Sequence, residues 1–290
     1  MFYLVLVSII WAFAFGLIKN QLTGLDSTAV AVVRLGFAVL IFAPLLRARS
    51  LNTRQIALLF ATGAIEFGIM YLLYLRSFFY LQAFEVALFT VTTPLYLAFA
   101  EAVVTRRWEP KHWLAAFLAV IAALIVVWKK APTDNFWHGF VLLQISNLCF
   151  ATGQFAYVRI RKPMTAVKDR EVFGWLYLGA FIATGIGSLI SMPWTHFHPT
   201  TTQWGVLAYL GVLSSGLCFF WWNRGSLLVN AGTLAVMNNA KVPLGVLASL
   251  LFFHEAHHLA DPADVTRLVI GGALLCSAVW LAETKRFFSR

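Results

Sequence analysis

Three charged residues stand inside long apolar runs of the sequence: Arg34, Glu66 and Lys241. A charge at the centre of a bilayer costs about 2.5–3.5 kcal/mol even on insertion scales, so a charge kept there indicates function by default. Lys241 stands two residues before Pro243, which lacks a backbone donor and loosens the helix around it. Asn238 lies three residues before Lys241, on the same helix face. An ammonium and an amide in this pattern predict a binding site for a substrate carboxylate.

The sequence leaves several roles open for the other two buried charges. Glu66 is a candidate ion-pair partner of Lys241, a site for a substrate amine, a protonatable group that couples transport to protons, or a structural hydrogen-bonding group. Arg34 is a candidate for coupling or for a structural tie to the backbone carbonyls of a neighbouring helix, and we favour the structural role.

Polar and aromatic residues on two other apolar segments are further candidates for substrate binding. Thr93 and Tyr96 flank Pro94, although the Thr93 hydroxyl has the alternative role of satisfying backbone groups that the proline frees. Trp222 and Asn223 lie near the end of another segment. Tryptophans in such positions form either a pocket wall or, more often, an aromatic belt at the membrane interface.

A polar stripe runs along one face of a further apolar segment. Gln144, Asn147 and Gln154 recur there with helical spacing. Interhelical hydrogen bonding is the commonest reason for such a stripe, and we predict that role.

The run at 254–258 matches the H-E-x-x-H pattern of zinc peptidases. On a helix His254 and His258 would face one metal ion, with Glu255 as general base, which makes an intramembrane zinc metalloprotease the alternative function. The match lies where an apolar segment ends and a polar run begins, and short patterns give many false matches. We therefore predict no enzymatic activity, no cofactor and no metal site, with the two histidines as weak metal candidates.

Composition indicates which solvent surrounds these residues. The chain has 290 residues, of which 60% are hydrophobic and 12% charged, against roughly 45–50% and about 25% in soluble domains. Because so few charged residues cannot cover a surface that faces water, we predict that a lipid bilayer surrounds the protein. The net charge of +10 comes from short basic clusters between apolar runs, a pattern that indicates membrane topology and argues against a nucleic-acid partner.

A window of roughly 20 apolar residues, the length needed to cross a bilayer, predicts an all-α integral membrane protein with ten transmembrane helices. With the N-terminus inside, fifteen lysines and arginines fall in cytoplasmic segments and five on the opposite side. This bias predicts cytoplasmic N- and C-termini in an inner (plasma) membrane. The predicted helices are 2–19, 27–46, 55–75, 83–104, 111–128, 137–158, 172–192, 202–222, 230–253 and 266–283.

The two halves of the chain have similar patterns. Pro94 and Pro243 are 149 residues apart and open similar apolar runs. We therefore predict two repeats of five helices, 1–130 and 131–290. Because five is odd, the second repeat must be inverted relative to the first, an architecture of secondary transporters that bind substrate where the repeats meet.

Several short motifs recur in order along the chain: Trp11-Ala12 with Gly16 and Lys19, Arg34-Leu35-Gly36-Phe37-Ala38, Pro94, Gly211-Val212-Leu213-Ser214-Ser215, Trp222-Asn223 and Pro243. Together they resemble those of the drug/metabolite transporter superfamily, EamA type, over essentially the whole chain. The resemblance implies two inverted five-helix repeats, a central cavity lined largely by the third, fourth, eighth and ninth helices, and export or exchange of amino acids and other small metabolites. The chain departs from the family where a glutamate often follows the proline: Glu255 fits in the second half, but Arg106 stands there in the first.

These observations predict a secondary transporter that exports a small polar or amphipathic metabolite, such as an amino acid, by alternating access. Lys241, Asn238, Glu66, Trp222 and Asn223, with Thr93 and Tyr96, are the predicted substrate-binding residues. The expected partners are the lipid bilayer and the metabolite, with proton coupling as a further hypothesis.

Overall fold

The computed structural model describes residues 2–46, 51–106, 134–191, 194–228, 231–253 and 261–283, together with positions 114, 117–118, 121–122 and 125. Within these residues the secondary structure is helical, and no strand is present. The predicted all-α class is therefore confirmed.

Nine long helices account for most of the described residues. Seven of them, α1 to α7, are long and apolar enough to cross a membrane. The last two, α8 and α9, have 22 residues each, about 33 Å at 1.5 Å per residue. Their bounds are α1 Phe2–Gln21, α2 Ser27–Phe42, α3 Thr53–Ser77, α4 Ala83–Val104, α5 Asp134–Arg161, α6 Asp169–Ser191, α7 Thr201–Ser226, α8 Ala231–Phe252 and α9 Pro262–Glu283.

The predicted helix 111–128 lies almost entirely outside the described residues. The structure therefore shows a multi-pass helical protein with seven candidate spans, and the ten-helix count and the inverted repeats remain predictions.

Side chains at the helix starts set where three of these helices begin. Asp26 accepts hydrogen bonds from the free N–H groups of the first turn of α2. Asn52 with Gln55 and Thr200 with Gln203 form reciprocal capping boxes at the starts of α3 and α7. Each cap satisfies backbone donors that have no partner within the helix, which stabilises a helix start by about 1 kcal/mol.

Large apolar side chains face outward from the bundle. Leu189 and Ile190 at the end of α6 are 78% and 82% exposed, and Leu40 on α2 is 70% exposed. In water such a surface would be unfavourable, whereas against acyl chains it carries no such penalty. These exposed residues agree with the lipid surroundings predicted from composition.

Glycine allows a close contact between the backbones of α3 and α6. A Cβ atom added at Gly63 would overlap the carbonyl group of Leu176, and one added at Gly179 would overlap that of Phe60. Small residues let two backbones approach closely inside a membrane. This contact holds α3 in the position from which its π-turn faces the interior.

Three helices depart from regular α-geometry in their middles. α3 contains a π-turn, Ala64–Ile69, and α7 contains a second, Leu210–Leu217. In α4 a 3₁₀ turn precedes Pro94, and the Thr93 hydroxyl donates a 2.7 Å hydrogen bond to the carbonyl of Thr90. Pro94 has no N–H to donate to that carbonyl, which accepts instead from the backbone N–H and the hydroxyl of Thr93.

Candidate binding cavity

A cavity lies between α1, α2, α3, α4, α5, α7 and α8, and the space between helices of a bundle is a common place for small-molecule sites. The resemblance predicts a lining from the third, fourth, eighth and ninth helices, which are α3, α4, α7 and α8 here. The structure adds α1, α2 and α5. Aromatic rings, hydroxyl groups and two basic side chains, Arg34 and Lys241, form the walls, and among the described residues no carboxylate lines them.

Lys241 is buried in this cavity on α8 and is surrounded by aromatic rings. Its Nζ donates a 2.9 Å hydrogen bond to Oδ1 of Asn238. Nζ also lies 4.9 Å from the ring centroid of Trp11, 5.8 Å from that of Phe150 and 5.9 Å from that of Trp222. Ring faces attract a cation electrostatically, more strongly when both are desolvated. We call these three rings the lysine cage.

Lys241 forms no ion pair with an acidic side chain among the described residues. An ammonium group has three donors, and the bond to Asn238 uses one. Two donors and most of the charge therefore remain for a bound acceptor.

Arg34 enters the cavity from α2 and is held by two hydroxyl groups. Its Nη2 donates to the Tyr71 hydroxyl at 2.7 Å and its Nε to Oγ of Ser215 at 3.2 Å. The two hydroxyl oxygens are themselves 2.9 Å apart, and the guanidinium carbon lies 4.6 Å from the Tyr71 ring centroid. Arg34 therefore ties α2 to α3 and α7, as the structural interpretation expects, although through side-chain hydroxyls instead of backbone carbonyls.

Glu66 lies outside the cavity lining and is not paired with Lys241. It is fully buried in the π-turn of α3, and its Oε1 accepts a 3.0 Å hydrogen bond from Nδ2 of Asn223 on α7. Its Oε2 has no hydrogen-bond partner. Gly153 on α5 packs directly against the Glu66 side chain. The ion pair left open by the sequence is thus absent, because each charged group has an amide partner of its own.

The remaining predicted site residues fall into different places. Thr93 lines the cavity, whereas the Tyr96 hydroxyl donates to Oε1 of Gln144 at 3.1 Å. Trp222, one of the three rings of the lysine cage, is fully buried, and its ring centroid lies 5.2 Å from that of Trp11. Trp222 is therefore enclosed by protein and is not part of an exposed aromatic surface.

Two members of the predicted polar stripe on α5, Gln144 and Asn147, form interhelical hydrogen bonds, whereas Nε2 of the third, Gln154, has no partner. Gln144 accepts from Thr92 at 2.7 Å, and Asn147 donates to the carbonyl of Phe89 at 3.1 Å. Asn147 and its neighbour Ser146 also line the cavity, a role that the stripe did not predict.

The histidines at 254 and 258, with Glu255, lie outside the described residues. Within the part of the chain that the structure describes, no group of three or more His, Cys, Asp or Glu side chains is arranged to hold a metal ion.

Sequence reasoning missed the aromatic and hydroxyl side chains that complete the cavity. Trp11 and Ser214 were noticed only as parts of family motifs, and Tyr71, Phe150 and Phe219 were not singled out. One feature of the sequence could have indicated that such side chains surround Lys241. A buried cation with no acidic residue on its own helix face needs aromatic rings or neutral hydrogen-bond acceptors from other helices. It does not tell which of the chain's many aromatic residues supply them.

Taken together, the walls suit an amphipathic anion. The basic groups supply donors for a carboxylate, and the rings cover an apolar body. Residues 1–128 match the model of the EamA-like transporter family. The chain is also 38% identical over 282 residues to a biotin transporter of Salmonella typhimurium, which covers 96% of this chain and 91% of the relative. The chain belongs to the EamA-like transporter family.

Two further relatives extend this similarity. A biotin transporter of Escherichia coli is 39% identical over 284 residues, covering 96% of this chain and 93% of the relative. A probable biotin transporter of Pseudomonas aeruginosa is 38% identical over 286 residues, covering 98% of both chains. This EamA-like protein is therefore a membrane transporter and not an enzyme, and the metalloprotease alternative is not supported.

The fold also matches a solved structure. One crystal structure superposes with a TM-score of 0.64 over 96% of each chain, at 16% identity. At that identity the likeness shows the fold alone.

Proposed function

We propose that this EamA-like transporter carries biotin, a monocarboxylate with a compact ring body, by alternating access. Its relatives named as biotin transporters align over nearly the whole chain. The observation that carries the proposal is the pairing of two buried cations, Arg34 and Lys241, with a lining that has no carboxylate among the described residues.

The same lining argues against the amino acid expected from the sequence. An α-amino acid has an ammonium group beside its carboxylate, and a buried ammonium needs an acidic or strongly polar partner. Glu66, the buried carboxyl that would suit that role, lies outside the cavity and is bonded to Asn223. A carboxylate without a neighbouring amine matches the site better.

In this proposal Lys241 binds the substrate carboxylate with the two ammonium donors that Asn238 leaves. The apolar part of the substrate lies against the aromatic walls, with Trp11 and Phe150 nearest the lysine. A carboxylate bound in a desolvated site gains more from each charged hydrogen bond than it would in water.

Helix packing supports alternating access between two inverted repeats, 1–130 and 131–290. If the repeats are equivalent, α1 to α4 correspond to α5 to α8. α1 packs along α8, and the equivalent pair, α5 and α4, is also in contact. In the same way, α2 packs on α7, and the equivalent pair, α6 and α3, is in contact. The two π-turns fall in α3 and α7, which are equivalent helices. Such repeats rock about a site at their interface.

Flux measurements in proteoliposomes test the proposal. Purified protein is reconstituted, and labelled biotin and labelled phenylalanine are followed in both directions across the membrane, with and without a pH gradient. We expect biotin flux well above that of protein-free vesicles, little phenylalanine flux, and loss of biotin flux in Lys241→Met. Removing a charge-assisted hydrogen bond lowers affinity by about 10- to 100-fold. Comparison of the two directions tests the export that the resemblance implies.

Lys162→Met is the matched control, because Lys162 is exposed in the segment between α5 and α6. It should transport like the wild type. Biotin flux no greater than in empty vesicles, or normal flux through a folded Lys241→Met protein, would refute the proposal.

A further inference from the structure

We infer that Arg34 is a second substrate-binding residue, whose Nη1 donates to the carbonyl oxygen of the ring at the end of the substrate remote from the carboxylate. The inference rests on the proposed function and deepens it. It makes Arg34 the residue that selects a carboxylate with a ring carbonyl over one without.

The first observation is an unsatisfied donor in the cavity. Arg34 is 1% exposed, and its Nη1 has no hydrogen-bond partner. Leaving a buried donor of a charged group unpaired is costly, so such groups normally have a partner. Because Arg34 lines the cavity, an acceptor on a bound molecule can supply that partner.

The second observation concerns which acceptor fits. The edge of the guanidinium formed by Nε and Nη2 is already used by the hydroxyls of Ser215 and Tyr71. That edge is one of the forks with which an arginine grips a carboxylate through two parallel bonds. Because the substrate carboxylate is assigned to Lys241, the acceptor left for Nη1, which has no partner in the protein, is a neutral oxygen at the other end of the molecule, such as the carbonyl of a cyclic urea.

The third observation is the surface between the two cations. Phe219 has its ring centroid 5.2 Å from that of Trp11, which belongs to the lysine cage, and 5.7 Å from that of Tyr71, on which Arg34 stacks. A row of three rings therefore leads from Lys241 to Arg34 along the cavity. A molecule lying on this row needs an apolar body with an acceptor at each end.

Biotin has that pattern, with a carboxylate on a flexible chain and a urea carbonyl on a compact ring. Lipoate has a comparable carboxylate chain and a five-membered ring but no ring carbonyl. Biotinamide keeps the ring carbonyl and lacks the carboxylate. Comparing the affinities of these three compounds therefore separates the contribution of Lys241 to binding from that of Arg34.

The experiment measures equilibrium binding of the three compounds to full-length purified protein by competition with labelled biotin or by intrinsic fluorescence. We expect the wild type to bind biotin at least about 10-fold more tightly than lipoate, the difference expected for a hydrogen bond to a charged group. The Arg34→Lys variant keeps the positive charge but lacks the hydrogen-bond donor at the position of Nη1. It should weaken biotin binding by about 10-fold and leave lipoate binding within about 2-fold, the scatter of a neutral change.

Lys241→Met gives the opposite pattern, because it should weaken biotin and lipoate together and leave biotinamide unchanged. If Arg34→Lys weakens the binding of biotin and of lipoate equally, the inference is overturned, because Arg34 would then be structural or would hold only a water or an ion. A wild type that binds lipoate as tightly as biotin would also overturn it, and that measurement needs no variant to fold. If the wild type neither binds nor transports biotin, the proposed function itself fails.

Discussion

Nδ2 of Asn223 lies 3.0 Å from Oε1 of Glu66, and this hydrogen bond joins α7 to the π-turn of α3. The same amide nitrogen also donates to the carbonyl of Phe219 at 3.2 Å. Lys241 is held separately by Asn238. The buried acid and the buried base are therefore kept apart, which leaves the positive charge of the lysine facing the cavity.

The Glu66–Asn223 bond predicts different effects for two substitutions at Glu66. Glu66→Gln should unfold at nearly the wild-type temperature, because the amide oxygen accepts the same hydrogen bond. Glu66→Ala should be about 1–3 kcal/mol less stable, because the bond is lost and a void is left. Thermal unfolding of the purified proteins in detergent measures this difference. Equal stability of the two variants would show that the bond contributes nothing to folding.

Proton coupling through Glu66 is a separate prediction. If Glu66 carries the coupled proton, Glu66→Gln should abolish the response of biotin flux to an imposed pH gradient. Exchange of labelled for unlabelled biotin across the vesicle membrane needs no net proton movement, so it should persist. A gradient response that survives in Glu66→Gln would assign the coupling elsewhere and leave Glu66 a structural role.

Trp11 should report on binding through its fluorescence. Its ring lies 4.9 Å from the Lys241 ammonium, and its Nε1 donates to the carbonyl of Ser214 at 3.0 Å. Biotin binding at Lys241 should therefore change its emission. Trp11→Phe should lose most of this change and weaken binding by about 2- to 30-fold, the range of one cation–π contact. Trp204→Phe, at an exposed tryptophan near the start of α7, should keep the full signal, and a signal lost equally in both variants would contradict the assignment.

The contact between α3 and α6 should not tolerate a single added methyl group. Gly63→Ala or Gly179→Ala would force a Cβ atom into a backbone carbonyl of the facing helix, and each should cost about 1–3 kcal/mol. Gly185→Ala on α6 is the matched control, since a Cβ there meets no atom within 4 Å. Yield and thermal unfolding in detergent measure the effect. Three variants of equal stability would argue against the close approach.

Membrane orientation can be tested with single cysteines. In a protein whose three native cysteines are replaced by alanine, Thr23→Cys and Thr165→Cys introduce thiols at exposed positions on sides predicted to be opposite. With cytoplasmic termini, a membrane-impermeant maleimide should label position 23 in intact cells. It should label position 165 only after permeabilisation. The reverse pattern would invert the predicted topology.

Features that depend on residues close in the chain were predictable from the sequence. Apolar windows predicted the observed helices, and hydropathy predicted a bilayer around them. The Thr93 hydroxyl adds a hydrogen bond to the Thr90 carbonyl, to which Pro94 cannot donate, a compensation between neighbouring residues that requires no knowledge of the fold. The pairing of Lys241 with Asn238, one turn apart, is of the same kind.

Features that depend on how each helix is rotated and placed against the others were not predictable. Nothing in the sequence shows that Arg34 meets Ser215, or that Trp11 and Phe150 surround Lys241. The reason is that hydropathy gives the length of a helix in lipid and not its rotation about its axis. That rotation is set by side-chain packing, glycine contacts and hydrogen bonds between helices. The sequence by itself thus determined a helical membrane protein with three buried charges, and the tertiary structure alone decided that two of them line one cavity while Glu66 lies outside it.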